Sequence, residues 1–154
     1  MAAGQGTWLL ICHEFAYRGG EMKKIAYDLK WRFYAEIPNA VNAIRAGNLL
    51  FLSGCSSLDP NGKVVGPGNI ELQTRQAMEN MKAALEAAGA SFENVVHMDT
   101  FYASSLDRET ILRSVKVRSS YFSRENPYTT TGVAIAGFTV PGLLIEIDGI
   151  AVLS

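Results

Sequence analysis

The periodic segments run in the order strands, helix, strand, helix, two strands, which predicts an α+β subunit: one mixed β-sheet with two helices on one face. Three observations carry that prediction. Residues 69–88 and 107–122 repeat apolar side chains three and four apart, the mark of helices that bury one stripe. The stretches between them alternate at period two and are bounded by turn formers. The last stretch, Leu143 to Leu153, carries one unbroken apolar face that helices must cover. Crossovers of these lengths place both helices on that same face and leave the other bare, and a bare, partly apolar sheet face predicts a closed homo-oligomer.

The final strand also holds the most informative residues. Leu143, Ile145, Ile147, Ala151 and Leu153 form its apolar face, while Leu144, Glu146, Asp148, Ile150 and Val152 form the other. Two carboxylates among aliphatic neighbours do not make an ordinary solvent face. Burying an unpaired carboxylate is costly, so these acids call for a partner, a wet cleft or a proton held at raised pKa.

Taken in order, residues 1–22 read as an N-terminal extension and 23–154 as a single domain. Trp8 to Cys12 is a short apolar run without the basic residues or cleavage pattern of a signal peptide, and Met22, after Gly19-Gly20-Glu21, is a candidate start. Trp31, Phe33 and Ala35 alternate with Arg32, Tyr34 and Glu36 as a first strand ending near Pro38. Ala40 to Arg45 is extended, Ala46-Gly47-Asn48 turns, and Leu49 to Ser53 is a second arm, apolar on both faces and buried. Asp59-Pro60-Asn61-Gly62 loops the chain out.

Asn69 caps the first helix, with a stripe of Ile70, Thr74, Ala77, Met78, Met81, Leu85 and Ala88 and Gly89 as its stop. Asn94 to Ala103 is a strand. Asp107 caps the second helix, whose stripe is Ile111, Leu112, Val115, Ser119 and Phe122. A final pair of strands, Thr129 to Ala136 and Leu143 to Leu153, is joined across Gly137 to Gly142.

Composition excludes several classes of function. The 154 residues carry 48% hydrophobic and 19% charged side chains, with no apolar run near the roughly 20 residues a membrane span needs. A net charge of −1 with scattered Lys and Arg provides no footprint for nucleic acid. Cys12 and Cys55 are too few for a disulfide framework or a zinc site, which points to a reducing cytoplasm and to no metal.

Four segments in order resemble the Rid family, also called YjgF or L-PSP: Arg45 to Gly54, Leu58 to Val65, Gln73 to Gly89 and Ile145 to Val152. The resemblance implies a chorismate-mutase-like subunit, a homotrimeric barrel and a pocket at each subunit interface. It further implies cofactor-free hydrolysis of enamines and imines with release of ammonia. By the same resemblance Glu146 matches the water-positioning glutamate, and Ser53-Gly54 matches the segment whose following amides, those of Gly54 and Cys55, bind substrate. The family's carboxylate-binding arginine falls on Thr130, its tyrosine on Ala40 and its helix asparagine on Val115. A threonine cannot form the bidentate pair that guanidinium makes. Thr129, Thr130 and Thr131 with Cys55 therefore suggest a neutral, hydroxyl-lined pocket for an imine, an enamine or a neutral metabolite, with Arg32 and Arg45 the other candidate cations.

Glu146 is the catalytic candidate, exchanging protons near neutrality if desolvated. Asp148 reads as structural, Cys55 as a packed thiol rather than a nucleophile, and His97 as a satisfied strand histidine. Beside the deaminase reading stand a non-catalytic trimer that binds a small metabolite or protein, and the L-PSP endoribonuclease activity. The last is disfavoured by the missing basic surface.

Overall fold

A computed structural model of the chain describes residues 11–16, 23–31, 33 and 36–154. Its strands are β1 (Ile11–Ala16), β2 (Lys23–Asp28), β3 (Ala43–Ala46), β4 (Leu49–Ser56), β5 (Val95–Ala103), β6 (Thr129–Ile135) and β7 (Ile145–Val152). Its helices are α1 (Ile70–Ala87) and α2 (Arg108–Ser119). The seven strands form one sheet in the order β1-β2-β3-β4-β7-β5-β6. Neighbours run antiparallel except β5 and β6, so the sheet is mixed.

The expected helix start at Asn69 is present: its side chain accepts a hydrogen bond from the Leu72 amide at 3.0 Å. Gly89 follows the helix at φ +72°, a backbone conformation that favours glycine. The stripe of α1 meets Leu50, Leu52, Ile145, Ile147 and Ala151 in the core. Asp107 caps α2 by accepting from the Thr110 amide at 2.8 Å. Thr74 of α1 donates to Ser114 of α2 at 2.8 Å, and the buried Arg118 guanidinium donates to the Thr100 hydroxyl on β5. Both helices thus lie on one face, as expected.

Four expectations need correction. The place beside β3, expected for a strand at Trp31 to Glu36, is filled by Lys23–Asp28. Lys30, at φ +57°, then turns the chain, and Trp31 is buried outside any strand. Arg32, Tyr34 and Ala35 lie outside the described residues, as does the expected boundary at residue 22. Second, β4 reaches Ser56 and is covered on one face only, since Leu49 and Phe51 are 38% and 44% exposed. Third, α2 ends at Ser119, and the side chains it buries are Ser114 and Arg118 while Leu112 and Ser119 are exposed. Phe122 instead joins Phe92 and Tyr128, with ring centroids 5.4 Å and 4.1 Å away. Fourth, β6 and β7 are not neighbours, because β5 lies between them.

The face without helices has a definite layout. Directly paired residues point the same way, so one row reads Thr129, His97, Ile150, Phe51 across the sheet. The next reads Thr131, Asp99, Asp148, and the third Val133, Phe101, Glu146, Ser56.

Gly149 of β7 has no room for a side chain against β5. A Cβ there would meet the His97 carbonyl oxygen at 2.8 Å and Met98 Cγ at 3.4 Å. Gly149→Ala is expected to destabilise the fold by about 2 kcal/mol, the usual scale for overpacking, read as a lower midpoint in urea.

Candidate functional site

The site is built where β4 gains a residue against β7. Leu52 stands opposite Gly149 and Cys55 opposite Ile147, so three steps on β4 match two on β7 and the strand carries a bulge. The bulge turns Cys55 into the core and leaves Gly54 facing Glu146. A Cβ at Gly54 would lie 2.6 Å from Glu146 Oε1 and 2.7 Å from its carboxyl carbon. Only glycine lets this carboxyl rest against the backbone.

Two buried amides of α1 hold the flanking chain. Asn80 donates to the carbonyls of Ser56 and Leu58, each at 2.8 Å, and so fixes the end of β4. Gln73 donates to the Gly142 carbonyl and accepts from the Leu144 amide, both at 2.8 Å, and so fixes the entry to β7. A single helix thereby sets the positions of Gly54 and Glu146. The sequence reading passed over both amides, although polar residues inside a helix's apolar stripe are their signal.

The Glu146 carboxyl is half-buried, and burial, with the Asp148 charge second, raises its pKa above the ordinary carboxylate value. Asp148 is also raised, by burial first and then by Asp99, with an Asp99 backbone hydrogen bond and His97 opposing. Both acids are thus harder to ionise folded than unfolded. Their stabilising contribution is complete below the unfolded values near pH 4 and fades as pH climbs through the raised folded ones. Asp148→Asn is therefore expected to raise the Tm more at pH 8 than at pH 4, in paired thermal melts.

Cys55 is a packed thiol, as expected. Burial, reinforced by Glu146 and Asp148, pushes it up to about 12, and its Sγ donates to the Ser53 carbonyl at 3.4 Å. Such a thiol is a poor nucleophile at neutral pH. Maleimide should label exposed Cys12 in the native protein and Cys55 only after unfolding, as peptide mapping would read out.

The threonines are not beside Glu146 within one protomer. Thr131 is in register with Asp99 on the same face, but across β5 from Glu146. Thr130 is in register with Met98, which faces the helices, so it belongs to the opposite face. Arg45 is turned onto the Gly47 carbonyl at 2.8 Å, and Arg32 is outside the described residues. His97 is partnered, with Nδ1 2.7 Å from Thr129 Oγ1 and Nε2 3.1 Å from Asp99 Oδ1.

Gly54 also borders a small crevice of about 10 Å³, room for about one water, walled by Trp31, Phe33, Leu58 and Asp59. Among the described residues no group of three or more His, Cys, Asp or Glu side chains could hold a metal, and no helix is long and apolar enough to cross a membrane.

A family model described as endoribonuclease L-PSP matches residues 34–153. A RutC family protein of Pyrococcus horikoshii is 37% identical over 110 residues, covering 71% of this chain and 82% of that protein. The 3-aminoacrylate deaminase RutC of Acinetobacter baylyi is 33% identical over 111 residues, covering 72% and 84%. Among solved structures, a YjgF/YER057c/UK114 family member from Mycobacterium tuberculosis superposes with a TM-score of 0.70 at 25% identity, covering 84% of this chain and 99% of that one.

Proposed function

The chain belongs to the endoribonuclease L-PSP family, whose members include the RutC and YjgF proteins, and from that premise we propose that it is a cofactor-free hydrolase of reactive enamines or imines. One observation carries the reading: a half-buried carboxyl of raised pKa, Glu146, is seated against a glycine backbone at a β-bulge. Such a group holds a water by one oxygen and takes its proton as the water adds to an imine carbon. The carboxyl passes that proton to the imine nitrogen to give the carbinolamine, then takes the carbinolamine hydroxyl proton and hands it to the nitrogen as the C–N bond breaks and the carbonyl forms. Imine and water give carbonyl compound and ammonia. The amides of Gly54 and Cys55 polarise the substrate. The deaminase named among the relatives supports the reaction class.

The working assembly is a homotrimer in a reducing cytoplasm. Leu49, Phe51, Val133 and Val152 are exposed on the helix-free face, which supports its burial against sister copies. Thr131 of one copy, which lies on that face, would then line the cleft beside Glu146 of the next, with Thr130 next to it on the edge strand β6. Without a guanidinium there, the substrate is an uncharged imine, enamine or amide-like metabolite rather than a 2-imino acid.

The test is ammonia release from freshly generated 2-aminoacrylate, 2-iminobutanoate and 3-aminoacrylate, and from the neutral benzophenone imine, by the unaltered chain and by Thr130→Arg. Turnover by the unaltered chain supports the reaction. Turnover of the 2-imino acid by Thr130→Arg alone supports the water site together with a neutral natural substrate. Failure of both chains with all three carboxylates and with the neutral benzophenone imine favours a non-catalytic metabolite-binding trimer.

A further inference from the structure

The helix-free face carries its charges unevenly. Asp99 on β5 and Asp148 on β7 are direct partners across the strands, so their side chains leave the sheet side by side, about 5 Å apart at the backbone. Like charges directly opposite on a sheet repel. In a single protomer water screens them, since the Asp99 side chain is 37% exposed and Asp148 is half-buried.

Few other groups face this pair. His97, two residues back on β5, sets Nε2 3.1 Å from Asp99 Oδ1, and Glu146 stands two residues back on β7. β6 brings Thr129, Thr131 and Val133 to this face and β4 brings Phe51 and Ser56, none of them charged. Among the described side chains, the remaining charges that strand register puts on this face are Lys24 and Asp28 of β2, three strands away from β7, and Lys30 pairs with Asp28. Sister copies bring the same set. Lys24 can therefore neutralise at most one of the acids Glu146, Asp99 and Asp148 in each copy.

On the homotrimer reading, this face loses its water when sister copies cover it. Two ionised carboxylates at this spacing are then costly, and sharing one proton turns their repulsion into a hydrogen bond. We infer that assembly takes up protons: each copy holds one between Asp99 and Asp148 in the trimer, and the trimer tightens as pH falls. Burial, and then the Asp99 charge, already raise Asp148 in the single protomer, and covering the face raises the pair further. The trimer thus binds more protons than three free copies. Association weakens as pH rises, by up to about tenfold per unit for each proton taken up, and levels off below the pair's value in the free copy.

The test mixes unlabelled and isotopically heavy copies of the full chain and follows subunit exchange by native mass spectrometry at pH 6 and pH 8. Exchange at least about tenfold faster at pH 8 is expected, because copies part more readily once the pair ionises. Asp148→Asn and, independently, Asp99→Asn should flatten that dependence and slow exchange at pH 8, since an amide beside a carboxylate donates a hydrogen bond without a shared proton. An imidazole also titrates in this range, and His97→Gln separates the two, because it should keep the dependence. Circular dichroism of each variant checks that the fold is intact. Trimers whose exchange ignores pH, or whose dependence is lost in His97→Gln and kept in both Asn variants, would overturn the inference and leave the homotrimer standing. Single copies at every pH would overturn both.

Discussion

Glu146→Gln is expected to lower ammonia release by about 100-fold or more while leaving the sheet intact, because an amide of the same shape cannot exchange the proton that water addition requires. The substitution should also make the protein more stable at pH 8. Removing a carboxyl that is harder to ionise in the folded state removes a penalty that grows above about pH 4. A variant both inactive and harder to melt separates loss of chemistry from loss of structure. The Cys55 thiol offers a third readout, since the Glu146 charge helps to raise it and Gln should let it fall. Unchanged turnover by Glu146→Gln would end the enzyme reading at this residue.

Gly54→Ala should cost activity by a purely steric route. The new Cβ would stand 2.6 Å from Oε1, 2.7 Å from the carboxyl carbon and 3.1 Å from Cγ of Glu146. The carboxyl is the free end of its side chain, so it swings aside rather than forcing the strands apart. Stability should therefore change little. A shift of about 1 Å in a catalytic group can cost about 100-fold in rate, and that is the expected loss in kcat. Thermal melts beside the ammonia assay check both halves. Full activity in Gly54→Ala would mean that the carboxyl works from another position.

The sequence made some of this plain and hid the rest for physical reasons. Capping chemistry is local, so Asn69, Asp107 and Gly89 marked the helix ends that the structure has, apart from the last turn expected of α2. Alternation is also local, and it correctly put Glu146 and Asp148 on the face away from the core of β7. Pairing is not local. Trp31, Phe33 and Ala35 alternate well enough for a strand, but Lys23–Asp28 already pairs with β3 and Lys30 turns the chain away. The bulge at Gly54 depends on a register between segments far apart in the chain, which no spacing reveals. The same holds for Gln73 and Asn80, whose partners are backbone groups of distant loops. Arg118 shows the limit of the apolar-stripe rule, because its long stem is buried while its guanidinium finds Thr100.

The strand order has a consequence for how the molecule is made. β7 is the last strand in chain order yet pairs with β4 and β5 in the interior of the sheet. While a ribosome is still adding residues 137–144, β4 and β5 have no partner along the edges that β7 will fill. Domains that complete their cores early can fold as they emerge, but this sheet cannot close before β7 has been made. A nascent chain stalled before Ile145 would present two unpaired apolar strand edges, templates for pairing with another chain. Closure of the sheet therefore waits for Ile145–Val152, and the interval before that strand pairs is when a holding chaperone would matter most.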